Sequence, residues 1–143
     1  MPKALSHVAL LVHDFDIILP FYTETLGLRQ AFRIDEADGS PKLIYLAIAP
    51  MHFLELLPSD KVASTLPVEH GYAHICLEVE DIQAYRDRLI SLGIAVTEVV
   101  TGFTRCKLCW INDPEGNLIE LMEFPPDCMQ RQASQALFAE DRI

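Results

Sequence analysis

Apolar and polar positions alternate in short runs along this chain, which is typical of β-strands with one buried face. Each half of the sequence opens with one such run, which leads into a helix of roughly three turns; Asp14 or Asp81 is placed to cap this helix, and Gly27 or Gly93 to end it. Three more strands are predicted after each helix. Their approximate bounds are 29–36, 42–49 and 52–57 in the first half, and 94–101, 104–112 and 117–123 in the second.

The two halves are an internal repeat. The stretch from His7 to Asp14 matches the stretch from His74 to Asp81, and residues 42–45 match residues 107–110 at an offset of 65 residues. We therefore predict one α+β domain of two tandem βαβββ modules, forming a curved, cleft-like mixed sheet with the helices outside. Module 1 covers about 5–57, a linker 58–70, module 2 about 71–124 and a tail 125–143. Pro20 predicts a bend in the first helix.

Four ionisable residues lie inside apolar runs at repeated positions: His7 and Glu55 in module 1, His74 and Glu120 in module 2. A buried ionisable group needs a compensating partner. Any one of them alone is more often exposed or hydrogen-bonded than bound to metal. Because all four recur in register, and each shares a strand face with apolar neighbours, a divalent cation held by the four together is the favoured hypothesis.

The remaining histidines do not repeat, and a solvent-facing or hydrogen-bonding role is predicted for His13, His52 and His70. Glu78 is predicted to be an exposed strand end, although it lies on the face of His74. The four cysteines are expected to be reduced, small buried residues. Cys106 and Cys109 have the CxxC spacing of zinc and redox motifs, but side chains three apart on a strand point to opposite faces, so joint chelation is not expected.

Composition narrows the range of partners. With 143 residues, half of them apolar, the chain is long enough to bury a core. The formal charge of −10 and the pI near 4.8 count against nucleic acid or an anionic membrane, and they fit poorly with a polyanionic coenzyme A ester. No apolar run approaches the ~20 residues of a membrane span, and no secretory signal precedes the first strand, so a cytoplasmic location is expected.

Four motifs within about residues 5–124 resemble the vicinal oxygen chelate superfamily, which contains glyoxalase I, methylmalonyl-CoA epimerase, extradiol dioxygenases and fosfomycin-resistance enzymes. They are Ser6-His7-Val8-Ala9-Leu10, Phe21-Tyr22 before Leu26-Gly27-Leu28, Gly71-Tyr72-Ala73-His74-Ile75, and Asp113-Pro114-Glu115-Gly116-Asn117-Leu118-Ile119-Glu120-Leu121. The resemblance implies paired modules around a cleft that encloses a divalent metal. The positions of the family's four ligands are those of His7, Glu55, His74 and Glu120.

A His/Glu/His/Glu set resembles glyoxalase I and its isomerase and epimerase relatives. It implies one six-coordinate ion per site, Ni²⁺, Co²⁺, Mn²⁺ or Zn²⁺ rather than Fe²⁺, with two positions open for a substrate that has oxygens on neighbouring carbons. Proton transfer through a metal-stabilised enediolate would then give a lyase, isomerase or epimerase reaction. By resemblance, Glu120 is the first choice for the catalytic base and Glu55 the second.

The chain departs from the glutathione-dependent members of the family. Where those carry an arginine and an asparagine that grip the tripeptide, this chain has Leu11 and Ser59, and His70 stands where some have another arginine. Poor use of glutathione is therefore expected. Each module supplies half of the ligands and an open sheet edge, so a homodimer is expected, with sites built within one chain or shared between two.

Two other functions remain open. One is an Fe²⁺-dependent dioxygenase, which Glu55 disfavours because an extra carboxylate fills a position needed for O₂ or substrate. The other is a ligand-sequestering or resistance-type binding protein, for which the same concavity would serve without turnover. Metal analysis distinguishes the binding protein from the two enzymes if no ion is found.

Overall fold

The computed structural model describes residues 3–60 and 72–138, which divide into two compact units. The first unit contains residues 3–60 and 114–116, and its elements are β1 (His7–Val12), α1 (Phe15–Pro20), a π-helical turn (Phe21–Thr25), β2 (Arg29–Asp35), β3 (Pro41–Ala49) and β4 (His52–Pro58). The second contains residues 72–113 and 117–138, with β5 (Ile75–Glu78), α2 (Ile82–Ser91), β6 (Val100–Thr101), β7 (Lys107–Asn112), β8 (Leu118–Glu123) and α3 (Met129–Leu137). Residues 61–70 of the predicted linker, with His70, and 139–143 of the predicted tail lie outside the described residues.

Each unit has one four-stranded mixed sheet. The strand order is β1-β4-β3-β2 in the first unit and β5-β8-β7-β6 in the second. In both sheets the first strand of the unit pairs in parallel with the last, and all other neighbours are antiparallel. The predicted α+β class and the repeated βαβββ order are therefore confirmed.

The first helix begins where the sequence predicts and changes its geometry at Pro20. The Asp14 carboxylate accepts a hydrogen bond of 2.9 Å from the backbone N–H of Asp16, which caps α1. Pro20 has no N–H to donate, and the helix changes there from α to π geometry, so that Leu26 donates to the Phe21 carbonyl at 2.9 Å. Gly27 ends the helix with a φ of 81°.

The second helix has the same capping residues, but the segment that follows it forms less strand than predicted. Asp81 caps α2 by accepting from Ala84 at 2.9 Å, and Gly93 has a φ of 81°. The predicted strand 94–101 is wrong in extent, because only Val100–Thr101 pairs with β7. The Thr97 N–H bonds the Trp110 carbonyl at 3.1 Å while its hydroxyl accepts from the Trp110 N–H at 2.9 Å, so a side chain replaces part of the ladder.

Strand alternation separates a core face from an open face in each sheet. In β4, Leu54 and Leu56 are 1% and 0% exposed, and Glu55 between them points the other way. In β8, Ile119 and Leu121 are both 0% exposed on either side of Glu120. The two glutamates thus lie on the face opposite these leucine and isoleucine side chains, which we call the open face; in β8 this face is also largely covered, since Glu120 is 8% and Met122 7% exposed.

Within residues 3–60 and 72–138, no helix is long and apolar enough to cross a membrane.

Candidate active site

The first predicted pair of ligands, His7 and Glu55, comes together in the first unit. His7 begins β1, and Glu55 lies on the parallel neighbour β4, where it is paired with Ala9. Their side chains approach to 3.5 Å between His7 Nε2 and Glu55 Oε2. The carboxylate side chain is 13% exposed and the imidazole 41%, so the pair lies at the surface of the open face with its acid mostly covered. We call it the first pair.

The second pair, His74 and Glu120, repeats this arrangement in the second unit. His74 directly precedes β5, and Glu120 on β8 is paired with Cys76, which follows His74 by two residues. The distance from His74 Nε2 to Glu120 Oε2 is 3.3 Å, and the side chains are 33% and 10% exposed. Offsets of 67 residues between the histidines and 65 between the glutamates therefore give a similar local geometry in both units.

The distances within the pairs fit two ligands of one metal ion. Ligands bound to one ion at ~2.1 Å, at right-angled or tetrahedral positions, lie about 3.0–3.4 Å apart. Imidazole nitrogen and carboxylate oxygen together suit Zn²⁺, Ni²⁺, Co²⁺ and Mn²⁺. The residues present therefore fit two of the ligands of such an ion in each unit.

Neither unit holds more than two of the four predicted ligands. Among residues 3–60 and 72–138, no group of three or more His, Cys, Asp or Glu side chains gathers closely enough to hold a metal ion. The four-ligand set remains a prediction.

An aromatic ring packs beside each histidine at equivalent positions of the repeat. The His7 ring lies 5.6 Å from that of Tyr45, and the His74 ring 4.9 Å from that of Trp110 in an edge-on contact. Tyr45 is paired with Glu55 across the antiparallel ladder, and Trp110 is paired with Glu120 in the same way. Each glutamate thus has an aromatic neighbour on one side.

The phenol of Tyr45 is a hydrogen-bond partner of Glu55. Burial raises the pKa of Tyr45 above its ordinary value, and the hydrogen bond to Glu55 and the charge of that carboxylate raise it further. The phenol accordingly keeps its proton and donates a hydrogen bond to the carboxylate.

Glu120 has a different partner, the thiol of Cys76. Partial burial of the sulfur, followed by the charge of Glu120 and the hydrogen bond to it, raises the pKa of Cys76 to about 12. The prediction that Cys76 is a buried structural residue is wrong, because its place on the open face leaves it exposed. The prediction is confirmed for the other three cysteines, which are buried.

Aromatic side chains extend the open face of the first sheet beyond the first pair. Phe32 stacks on Tyr45 at 4.6 Å with ring planes 15° apart, and Phe53 meets Tyr45 at 5.8 Å. Phe32 is 47% exposed. This row gives an apolar wall that is able to contact an uncharged part of a ligand and to exclude water.

The other polar residues singled out in the sequence take no part in either pair. His13 and His52 are exposed, in accordance with their predicted surface role. Glu78 is also exposed, and its carboxylate lies 3.9 Å from the guanidinium of Arg131.

The Asp-Pro-Glu-Gly-Asn motif builds a turn rather than a binding site. Asp113, 4% exposed, accepts two hydrogen bonds of 2.8 Å from Asn117, one from the backbone N–H and one from the side-chain amide. The Glu115 carboxylate accepts from the backbone N–H groups of His13 and Asp14 at 2.9 and 2.7 Å, at the start of α1. The negative charge suits the N-terminus of that helix.

The contacts of Tyr45 and Cys76 with the glutamates were missed by reasoning from sequence alone. Tyr45 is the antiparallel ladder neighbour of Glu55 and Cys76 the parallel ladder neighbour of Glu120, and strand register is the signal that predicts such neighbours. The repeat aligns Tyr45 with Trp110 but does not say which side chain reaches a carboxylate.

Comparison with known proteins identifies the class. The family described as the Glyoxalase/Bleomycin resistance protein/Dioxygenase superfamily matches residues 4–121, so the chain belongs to this superfamily. The resemblance seen in the motifs is thereby confirmed.

Individual relatives include enzymes. The chain is 37% identical over 98 residues to the ethylmalonyl-CoA/methylmalonyl-CoA epimerase of Cereibacter sphaeroides, covering 64% of this chain and 72% of that protein. It is 23% identical over 150 aligned positions to a lactoylglutathione lyase of Pseudomonas putida, covering 85% of each. Among solved structures, that of SMU.1112c has a TM-score of 0.74 and 30% identity, covering 85% of this chain and 98% of that one.

Proposed function

We propose that this protein is a metal-dependent enzyme of the glyoxalase type, a lyase, isomerase or epimerase, acting on a small substrate with oxygens on neighbouring carbons. The observation that carries the proposal is the repeated His–Glu pair, with nitrogen and oxygen 3.5 Å apart in one unit and 3.3 Å in the other. A purely structural His–Glu contact would not need to recur at equivalent positions of both sheets.

His7, Glu55, His74 and Glu120 are the proposed ligands of one divalent ion per site. When bound, such an ion supplies positive charge to a substrate oxygen and thereby makes a neighbouring C–H group more acidic. We assign the ligand role to both pairs because each offers one imidazole nitrogen and one mostly covered carboxylate.

Glu120 is the proposed base that removes the proton from carbon, and Glu55 is the second choice. Returning the proton to the same carbon on its other face gives epimerisation, whereas returning it to the neighbouring carbon gives isomerisation. Glu120 is 8% exposed, and the thiol beside it is a weak hydrogen-bond donor that holds the carboxylate less firmly than a phenol would. This difference supports the assignment.

The aromatic row is proposed to contact the substrate. Tyr45, Phe32 and Phe53 form an apolar wall beside the first pair, and Trp110 packs beside the second. A wall of this kind favours a substrate with an apolar group next to its two oxygens and excludes water while the proton is held by the enzyme.

Metal analysis followed by reconstitution tests the proposal. Protein purified without chelators or a metal-affinity column should contain a divalent ion, and apoprotein should regain activity with Ni²⁺, Co²⁺, Mn²⁺ or Zn²⁺. In the His74→Ala variant, metal affinity should fall at least about tenfold. Undiminished metal content in both His74→Ala and Glu120→Ala proteins would overturn the assignment of the ligands.

The substrate panel should separate the chemistries of the named relatives. It includes α-hydroxycarbonyl compounds, hemithioacetals of several thiols and single enantiomers of a 2-alkylmalonyl thioester. Turnover of the glutathione hemithioacetal is expected to be weak, because Leu11 and Ser59 offer no charged grip for its carboxylates. Efficiency on that adduct within the usual enzyme range of ~10⁴–10⁸ M⁻¹s⁻¹ would show this expectation wrong.

A further inference from the structure

Two buried cysteines meet between the start of β7 and the start of α3. Cys106 and Cys128 are both 0% exposed and share a small apolar cluster with Met122, against which Leu108 and Phe124 pack. Their thiols are hydrogen-bonded to each other. The strand pattern predicts that Cys106 and Cys109 point to opposite faces despite their CxxC spacing, and the structure places Cys106 beside Cys128, a residue of the predicted tail.

The backbone holds the two segments side by side. The N–H of Met129 donates to the carbonyl of Thr104 at 2.9 Å, which links the residue after Cys128 to the residue two before Cys106. Gln130 adds two contacts, with its amide nitrogen 3.2 Å from the Thr104 hydroxyl and its amide oxygen 3.1 Å from the Cys106 sulfur. These contacts keep the two cysteines close together, which formation of a disulfide requires.

Cys128 is also the anchor of α3. Among the described residues 126–138 it is the only buried one, and α3 itself has no buried residue. The remaining attachments are surface contacts, such as that of Arg105 with Gln132 at 3.2 Å. A helix held in this way is expected to open locally at low cost, and opening exposes the Cys128 thiol.

We propose that Cys106 and Cys128 are a reversible redox pair, which a hydroperoxide oxidises to a disulfide that ties α3 to the start of β7. This modification is independent of the function proposed above. It uses two thiols that have no part in either His–Glu pair.

The reaction takes place in two balanced steps. The Cys128 sulfur, once uncovered, attacks the O–O bond of the hydroperoxide as a thiolate and takes one oxygen with its hydrogen as a sulfenic acid, while the other oxygen gains a proton from solvent and leaves as an alcohol, or as water when the oxidant is hydrogen peroxide. When α3 returns, the Cys106 sulfur attacks the sulfenic sulfur, the S–S bond forms, and the hydroxyl leaves with the Cys106 proton as water. The two thiols are oxidised by two electrons and the peroxide is reduced; a dithiol reverses the reaction.

Cys128 is the first to react, because opening of α3 uncovers its thiol while Cys106 stays buried. Burial raises the pKa of Cys106, and its hydrogen bond with Cys128 adds to the effect, so Cys106 remains a thiol while it is covered. Cys106 is fixed beside a tight turn, in which Arg105 has a φ of 64° and its N–H bonds the Gly102 carbonyl at 2.9 Å. Residues 126–138, by contrast, contain no buried side chain other than that of Cys128.

Disulfide mapping of the oxidised full chain is the direct test. After treatment with a small excess of hydrogen peroxide and alkylation of the remaining thiols, proteolysis without reductant should give one linked peptide pair that contains Cys106 and Cys128. The intact chain should lose two hydrogen atoms and regain them with a dithiol. Alkylation of both cysteines after oxidation, or linkage of either one to Cys76 instead, would overturn the proposal.

Matched variants separate the disulfide from general oxidation. Cys109→Ser changes a buried cysteine of β7, three residues after Cys106, and should leave the linked peptide pair unchanged. Cys128→Ser should abolish the linked peptide pair. Amide hydrogen exchange gives a second measurement on the wild-type chain, which does not depend on whether a variant folds. Exchange in α3 should slow at least about tenfold on oxidation, because the cross-link removes local opening; equal rates in the two redox states would contradict the proposal.

Discussion

The two His–Glu pairs have the same geometry but different surroundings. In both units the glutamate lies on the strand between a parallel and an antiparallel neighbour, and the histidine approaches it to within 3.5 Å. At the parallel neighbour the first unit has Ala9 and the second has Cys76. At the antiparallel neighbour the first has Tyr45 and the second Trp110.

These substitutions move the hydrogen-bond donor from one side of the glutamate to the other and change its strength. Glu55 receives a hydrogen bond from the phenol O–H of Tyr45, whereas Glu120 receives one from the thiol of Cys76. A phenol is the stronger donor and fixes the orientation of the carboxylate better. The repeat therefore maintains the positions of the ligands, while their neighbours make one glutamate firm and the other freer to move.

Replacing each glutamate by glutamine should give the largest difference between the pairs. Glutamine keeps an oxygen ligand, but its side-chain amide does not act as a base near neutral pH. With metal at saturating concentration, Glu120→Gln should lower kcat by about 10²–10⁴-fold, the usual contribution of a general base. Glu55→Gln should lower it less. The measurement is steady-state kinetics on any substrate that the wild type converts, and the reverse ranking would transfer the role of base to Glu55.

Subunit mixing tests whether the two pairs act within one chain. The expected homodimer has two sites, and His7→Ala and Glu120→Ala chains should each be inactive alone. If sites are shared between chains, a mixed dimer carries both lesions in one site and leaves the other intact, so activity should return on exchange. If each site lies in one chain, no activity appears. A monomer in sedimentation would exclude the shared site.

Much of this comparison is predictable from sequence, because the pairs depend on local rules. Strand alternation places Glu55 and Glu120 on the faces opposite the buried leucine and isoleucine residues. The helix caps at Asp14 and Asp81 are equally local. Strand alternation and helix caps can each be predicted from a few neighbouring residues.

What sequence does not supply depends on contacts between distant segments. Cys106 meets Cys128 only because the tail folds back on the start of β7, and no spacing rule indicates this. The predicted strand 94–101 shortens because Thr97 bonds Trp110 through its side chain, an option that a strand pattern does not include. Whether the two pairs share one ion is likewise a question of tertiary arrangement.

Removing the donors beside the glutamates should give an intermediate effect. Tyr45→Phe deletes the phenol oxygen and keeps the ring, so metal affinity should fall by about tenfold, at the lower end of losses for groups that orient a ligand. Cys76→Ala, which installs the residue of the first unit, should change the affinity by less than about threefold because a thiol is a weak donor. Competition with a calibrated chelator measures both. Trp110→Phe is the matched control, and equal losses in Tyr45→Phe and Cys76→Ala would contradict the proposed difference.

The smallest expected effect concerns the starts of the two helices, which a distant glutamate contacts in each case. Glu115 accepts from the backbone at the start of α1, whereas Glu123 accepts from the Ile82 N–H at 3.1 Å and pairs with the Lys107 ammonium at 2.7 Å. Glu115→Gln and Glu123→Gln should each lower the free energy of unfolding by about 1 kcal/mol at neutral pH. Urea unfolding measures the change.

Acid should reduce the loss caused by Glu123→Gln. The hydrogen bond from Lys107, followed by the one from Ile82, holds the pKa of Glu123 below its ordinary value of 4.5. Since the folded pKa is depressed, the stabilisation is complete above about pH 4.5 and disappears as the pH falls through the folded pKa. The difference between wild type and Glu123→Gln should therefore shrink below about pH 4.5. As a control, Glu98→Gln removes an ion pair whose carboxylate is 84% exposed. This change should lower the free energy of unfolding by less than about 0.5 kcal/mol at any pH. A constant difference for Glu123→Gln down to the acid limit of folding would show that its charge does not stabilise the start of α2.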